Sequence, residues 1–234
     1  MDSISVFFPT YNEEANIKET VLKALEVLKK NFKNFEIIIV NDGSSDDTNK
    51  LVSDLSKNDS RIKLINHKTN RGYGASLQTG FYGSRYEWIA FTDSDGQFDF
   101  SEINKFIETQ DRTKADLVIG YYKKRRVSKF KIITSKMWEF SVILLFGLKV
   151  RDIDCGFKLI SKKVIENIPY LESERGAFIS SELLIKSKKA GFKIVEIPVT
   201  HYPRTQGKGT GRDIKVIIKS FIDLFRLYRN LQQI

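Results

Sequence analysis

The chain has 234 residues, enough for one α/β domain with a sizeable core and a few appended elements. Its 41% hydrophobic and 29% charged residues exclude a disordered chain, and its single cysteine, Cys155, excludes an internal disulfide. The net charge of +10 favours anionic partners: nucleic acid, diphosphates or an acidic membrane surface.

In chain order, residues 4–8 form a short apolar run that reads as a buried strand. Pro9-Thr10-Tyr11-Asn12-Glu13-Glu14 follows, then a helical pattern with Ile17, Val21, Leu25 and Leu28 on one face. Thr10 or Asn12 is the expected cap, with the glutamates favoured by the helix dipole. Residues 35–40 read as a second strand, ending in Asn41-Asp42-Gly43-Ser44-Ser45-Asp46, with a helix over 47–56. A third strand at 62–65 precedes a helix over 72–82, and residues 115–120 read as a fifth strand.

The fourth strand is the most informative. Glu87-Trp88-Ile89-Ala90-Phe91-Thr92 leads into Asp93-Ser94-Asp95-Gly96-Gln97, where two carboxylates lie one residue apart. If the extended geometry persists, Asp93 and Asp95 project to one side. Carboxylates at the end of a buried strand require a cation, and oxygen ligands of this kind suit Mg²⁺ or Mn²⁺ bound together with substrate phosphates. The alternative is a polar turn built from Asp, Ser and Gly.

Strands that alternate with helices and read as continuous Val, Ile and Phe runs predict a parallel sheet covered on both faces, with ligands beyond its carboxyl ends. The segment Gly72-Tyr73-Gly74-Ala75-Ser76-Leu77 mimics a dinucleotide fingerprint. It lacks the third glycine and lies in the third βα unit, which argues against a dinucleotide site. Its backbone N–H groups either meet a phosphate or form a tight turn against close packing.

Four motifs follow one another at even spacing, Pro9-Thr10-Tyr11-Asn12-Glu13, Val40-Asn41-Asp42-Gly43-Ser44, Asn70-Arg71-Gly72-x-Gly74 and Asp93-Ser94-Asp95-Gly96-Gln97, with Asp152-x-Asp154-Cys155-Gly156-Phe157-Lys158 further downstream. With His201-x-x-Arg204-x-x-Gly207-Lys208, this set resembles the inverting family 2 glycosyltransferases. Within them it is similar to the branch that moves mannose or glucose from a nucleotide diphosphate onto a polyprenyl or dolichyl phosphate. The resemblance runs from about residue 5 to about residue 211. It implies an α/β glycosyltransferase-A fold, a mostly parallel Rossmann-like sheet with helices on both faces and amphipathic peripheral helices.

The resemblance also implies site residues. Asp93, Asp95 and Gln97 are the metal-side residues for Mg²⁺ or Mn²⁺, and Ser94 contacts the nucleotide sugar. Pro9, Tyr11, Glu13, Val40 and Asp42 match the base and ribose pocket, where Tyr11 can stack and the two acids accept hydrogen bonds. Helix capping and turn formation are the competing roles for those acids. Arg204 brings a guanidinium to the diphosphate, where its fork suits two oxygens; Lys208 lies in a last motif that reads Gly207-Lys208-Gly209-Thr210 where relatives often have Gly-x-Ser-Lys. Asp154 orients the acceptor or assists as base, or else Asp152 and Asp154 pair with Arg151 or Lys158. Glu182 is a second candidate pocket acid.

Lys123-Lys124-Arg125-Arg126, with Lys129 and Lys131, places six positive charges beside an apolar helical segment within 131–147 that carries Met137, Trp138, Phe140, Leu144, Leu145 and Phe146. A second amphipathic helix, in 212–234, carries Lys215, Lys219, Arg226 and Arg229 beside Ile214, Ile217, Ile218, Phe221, Leu224, Phe225 and Tyr228. A basic run beside a Trp-bearing apolar helix is the pattern of an element lying in a membrane interface; core packing or an oligomer contact is the alternative. The expected organisation is a catalytic domain over 1–211 and a C-terminal helix over 212–234. No signal peptide begins the sequence and no apolar window is long enough to span a bilayer, whereas relatives often carry membrane-spanning helices after the catalytic domain. The expectation is a cytoplasmic enzyme peripheral to the inner face of a membrane, with a nucleotide-diphosphate sugar as donor and a lipid phosphate as acceptor. A membrane-anchored protein or a second copy is a further candidate partner; nucleic acid is not, because no recognition motif accompanies the charge.

Overall fold

The computed structural model describes residues 1–122, 129–174, 176, 178–204 and 214–232, without the side chains of 129–135, 214–219 and 232. The basic run 123–126, Gly207 and Lys208 therefore lie outside the described residues, as do the side chains of Lys129, Lys131, Ile214, Lys215, Ile217, Ile218 and Lys219.

The first half alternates as expected: β1 (Ser3–Thr10), α1 (Ile17–Asn31), β2 (Asn34–Asn41), α2 (Thr48–Asn58), β3 (Ile62–Asn66), α3 (Tyr73–Gly83) and β4 (Trp88–Phe91). The second half comprises α4 (Ile103–Thr113), β5 (Leu117–Tyr122), α5 (Lys129–Phe146), β6 (Lys158–Ser161), α6 (Lys162–Asn167), α7 (Phe178–Lys189), β7 (Ile194–Val199) and α8 (Ile214–Gln232). These make a seven-stranded sheet in the order β3-β2-β1-β4-β6-β5-β7. It is parallel except at β6, which runs antiparallel to both β4 and β5.

The apolar strand runs have a simple cause. Ile4, Val6 and Phe8 of β1 face one core, while Phe7 faces the other; Ile37 and Ile39 of β2 likewise oppose Ile38 and Val40. A strand buried on both faces needs no polar alternation. Edge positions relax that demand, and β7, which pairs only with β5, accommodates Pro198. On one face Phe7 packs against Phe81 and Phe91, with centroids 5.0 and 5.3 Å apart. Gly80 of α3 makes this possible, since a Cβ there would come within 2.2 Å of the Phe7 ring.

The expected capping of α1 is corrected. Its N-cap is Asn16, which makes no side-chain cap. Thr10 belongs to β1 and donates to the Phe8 carbonyl, while Asn12 adopts φ 53° and accepts from the Ser45 N–H at 2.8 Å. The residues between β1 and α1 are thereby released from helix formation and tied to the loop after β2.

Both amphipathic helices pack and protrude. Val142 of α5 and Leu224, Leu227 and Leu231 of α8 are buried, and Trp138 meets Phe221 edge-on at 5.1 Å. Met137, Phe140 and Leu144 of α5, with Ile222 and Phe225 of α8, remain more than half exposed. No described helix is long and apolar enough to cross a membrane.

Candidate active site

The carboxyl ends of β1, β2, β3 and β4 open on one edge of the sheet, and the loops leaving them interlock. Pro9 and Val40 sit opposite each other in the β1–β2 register with buried side chains, so they offer backbone to a ligand. Pro9 already uses its carbonyl to accept from the buried Ser94 hydroxyl at 2.9 Å, which ties β1 to the acidic turn after β4. Tyr11 is exposed, as a stacking surface requires. Glu13 is buried; its N–H donates to the Thr48 hydroxyl and its carboxylate accepts from Asn16 at 2.8 Å.

Asp42 is buried and heavily used. It accepts from the N–H groups of Arg71 at 2.9 Å and Gly72 at 2.7 Å, and its Oδ1 lies 2.6 Å from His67 Nδ1. Asp42 thus does shape a turn, but that of the loop after β3. Gly43 is essential to the interlock: at φ +69° it lies so close to the Thr69–Asn70 backbone that a Cβ would come within 2.6 Å.

The acidic turn is where the geometry departs from the sequence reading. β4 ends at Phe91, so Asp93 and Asp95 are not carried on an extended strand. Asp93 turns inward and accepts from the Tyr73 hydroxyl at 3.0 Å. Burial pushes its carboxyl up to about 7, and the neighbouring charges of Asp95 and Glu13 add to this against the pull of Tyr73 and the Lys158 ammonium. Asp95 accepts from the Gln97 N–H at 3.1 Å and faces Arg204 Nη1 at 3.5 Å, while Arg204 Nη2 bonds Glu13. One guanidinium therefore bridges Glu13, 191 positions away in sequence, and Asp95. Gln97 donates its amide to the Tyr202 carbonyl at 2.7 Å, leaving the side-chain oxygen as the atom suited to a metal.

Asp154 is exposed, and its N–H donates to the buried Asp152 at 3.2 Å. Both acids act electrostatically on Lys158, a fully buried lysine of β6 that donates to the Cys155 carbonyl and lies 5.4 Å from the Phe91 centroid. Arg151 stacks over Tyr121. Cys155 is the buried small side chain expected of it; burial raises its thiol to about 12.

Two expectations are corrected. Glu182 is no pocket acid in this arrangement: it pairs with buried Lys186 at 2.6 Å and accepts from the N–H groups of Glu172 and Ser173. Part of the N–H array expected to meet a phosphate at the start of α3 is already engaged. Gly72 N–H is spent on Asp42, Ala75 N–H donates to the Glu174 carbonyl at 2.8 Å, and a Cβ on Gly74 would come within 2.1 Å of the Ser173 carbonyl. Close packing requires a glycine at Gly74, and the φ of 106° favours one at Gly72.

The sequence pattern of glycosyl transferase family 2 matches residues 5–169. The chain belongs to this family. The transferase is 30% identical over 221 residues to a dolichyl-phosphate beta-glucosyltransferase of Saccharomyces cerevisiae, covering 84% of this chain and 66% of that protein. It is 31% identical over 239 residues to a dolichyl-phosphate beta-glucosyltransferase of Trichomonas vaginalis, covering 96% and 72%. The chain thus spans about two thirds of the length of these relatives. Among solved structures, glucosyl-3-phosphoglycerate synthase from Mycobacterium tuberculosis, crystallised with phosphoglyceric acid, superimposes with a TM-score of 0.70 at 18% identity, covering 97% of this chain and 79% of that one. The same synthase is known with Mn²⁺, uridine diphosphate and glucosyl-3-phosphoglycerate. At that identity the likeness establishes the glycosyltransferase-A architecture.

Asp93 and Asp95 are oxygen ligands of the kind that suits Mg²⁺ or Mn²⁺ bound together with substrate phosphates. No group of three or more His, Cys, Asp or Glu is gathered for a metal among the described residues. Asp93 and Asp95 instead repel each other enough to contribute to the raised Asp93 carboxyl. A cation between them relieves that repulsion, and Mg²⁺ characteristically takes one or two carboxylates and completes its shell with phosphate oxygens and water.

Sequence reading missed Tyr73, His67 and any part for Lys158 beyond pairing. Tyr73 lies in a motif that drew attention for its glycines, and a lysine opening a four-residue strand carries no local sign of burial. Gly156 in the same stretch does carry one. A Cβ there would come within 2.3 Å of Asp93 Oδ2, so the loop before β6 rests directly on Asp93. Gly156→Ala is expected to lower transfer about a hundredfold by displacing Asp93, with a stability cost of about 1–3 kcal/mol. Parallel rate and thermal-melt measurements check this, and an unchanged rate would show that the placement of Asp93 is immaterial.

Proposed function

We propose that this transferase moves a hexose, with inversion, from a nucleotide-diphosphate sugar of the UDP-glucose or GDP-mannose class to a polyprenyl or dolichyl phosphate at a membrane surface. The observation that carries this reading is the Glu13–Arg204–Asp95 ion network beside Asp93, at the carboxyl ends of β1 and β4. It places a guanidinium between the acids suited to a nucleoside and those suited to a metal, where a diphosphate would lie. In the transfer, an acceptor phosphate oxygen bonds to the sugar C1 as the bond from C1 to the diphosphate breaks, and the electron pair leaves with the nucleotide. Asp93, Asp95 and the Gln97 oxygen would hold Mg²⁺ or Mn²⁺, which would supply charge stabilisation to that leaving group. Arg204 supplies the second cation, and Tyr73 holds Asp93 in place. A phosphate acceptor is already ionised at neutral pH, so the demand on a general base is weak. Asp154, on the loop that bears against Asp93, then serves chiefly to orient the acceptor.

The lipid acceptor is supported by the names of the dolichyl-phosphate relatives and by the exposed apolar side chains of α5 and α8. Together with Arg226 and Arg229, these side chains suit the interface of an anionic bilayer, the inner face of a membrane in this reading. The test is incubation with Mn²⁺ or Mg²⁺, UDP-glucose or GDP-mannose, and a polyprenyl phosphate. Sugar is expected on the lipid phosphate. Sugar found only on a soluble or polysaccharide acceptor would overturn the lipid assignment.

A further inference from the structure

We propose that His67, held from behind by Thr79, is a positioning residue that fixes Asp42 for nucleobase recognition, so that the pocket selects bases carrying a ring N–H. The inference rests on the nucleotide-sugar reading above. His67 follows β3, and its side chain is 6% exposed against 4% for Asp42. A carboxylate can only accept, so the 2.6 Å contact assigns the proton to His67 Nδ1. On the other side of the ring, Nε2 lies 2.9 Å from the Thr79 hydroxyl on α3. The ring is thus clamped at both nitrogens, as an outer residue must be to orient the group in front of it. Its own N–H donates to the Asn41 carbonyl at 2.9 Å, so its backbone is anchored to β2 beside Asp42.

The clamp leaves Asp42 with a defined capacity. Its carboxylate has about four lone-pair sites, two on each oxygen. Oδ1 accepts from His67 and from the Arg71 N–H at 2.9 Å, which fills it. Oδ2 accepts from the Gly72 N–H at 2.7 Å, which leaves one site. That site takes one more donor and no acceptor. Uracil at N3 and guanine at N1 present a ring N–H, whereas cytosine and adenine present a ring lone pair that a carboxylate repels. Without the imidazole, Oδ1 regains an open site and the carboxylate loses the partner that sets its rotation, so the distinction weakens.

The test uses the full chain with Mn²⁺. Binding of UDP, GDP, CDP and ADP is measured by calorimetry, and KM and kcat by transfer, for the native protein and for His67→Leu, His67→Asn and Thr79→Val. The native protein is expected to prefer UDP or GDP over CDP and ADP by about a hundredfold or more. His67→Leu is expected to weaken the preferred nucleotide and to raise KM about 10- to 100-fold, to reduce the preference to a few-fold, and to leave kcat within about threefold. In His67→Asn, the amide N–H takes the place of Nδ1–H and is expected to restore most of the affinity and preference; Thr79→Val is expected to fall between. Native affinity and preference in His67→Leu, or no recovery in His67→Asn, would overturn the positioning role. So would a fall in kcat and melting temperature with the nucleotide preference intact. Should His67→Leu fail to fold, the ratios measured on Thr79→Val and His67→Asn decide. If the native protein binds none of the four nucleotides, the nucleotide-sugar reading falls and takes this inference with it; if it binds them without preference, only the inference falls.

Discussion

Asp95→Ala is expected to lower metal-dependent transfer about a hundredfold or more while the thermal melt stays within a few degrees of native. The two halves of that result have separate causes. Asp95 is only partly buried; it accepts one backbone N–H from Gln97 and faces Arg204 at 3.5 Å. Its removal strands no charge, because Arg204 keeps Glu13. Stability is therefore spared. Turnover is not, because in the proposed reading Asp95 helps to hold the cation that stabilises the leaving diphosphate. Asp95→Asn separates charge from shape: it can still accept from the Gln97 N–H but loses the negative charge, and it is expected to behave like the alanine variant in transfer. Transfer rates over a range of Mn²⁺ concentrations, set beside melting curves, make the measurement. Full turnover in either variant would remove Asp95 from the metal site.

Glu182→Ala is expected to show the opposite pattern, a loss of about 3–5 kcal/mol of stability. Glu182 and Lys186 are both almost wholly buried, and the pair lies at 2.6 Å. Removing the acid leaves the Lys186 ammonium with only the Tyr170 carbonyl and strips the acceptor from the N–H groups of Glu172 and Ser173. The loop that loses its anchor also caps α3 through the Glu174 carbonyl and receives the Gln78 amide at the Leu171 carbonyl. At about 2–4 °C per kcal/mol for a chain of this size, the melting temperature drops by about 6–20 °C. Glu182→Gln, which keeps an acceptor and loses the charge, is expected to lie between. The alternative, a pocket acid, predicts lost transfer with an unchanged melt, so melting and rate measurements on one sample separate the two roles.

How much of this was legible in the sequence varies with position. The runs at β1, β2 and β4 were readable because strands buried on both faces keep apolar residues at every position. The polar clusters that end them were readable as a site because ligands gather at that edge of a parallel sheet. β6 was not: four residues beginning with Lys158 look like part of a loop, and only insertion between β4 and β5 makes them a central strand. β7 was obscured by Glu196 and Pro198, which an edge strand tolerates. Gly74 could be read either as a phosphate contact or as a packing position, since the same residue type serves both ends, and only the approach of the Ser173 carbonyl shows the packing role.

The sequence alone therefore determined the parallel half of the sheet, the order of its polar loops and the family to which the chain belongs. Tertiary structure decided which acids answer to which cation: Glu13 and Asp95 to Arg204, Glu182 to Lys186, and Asp93 to a field shared by Asp95, Tyr73 and Lys158. Local periodicity records that a position is buried, because burial acts on every residue of an element in turn. It does not record the partner, because a charge is paired by whatever the chain brings within a few ångströms, and here that comes from as far as 191 positions away.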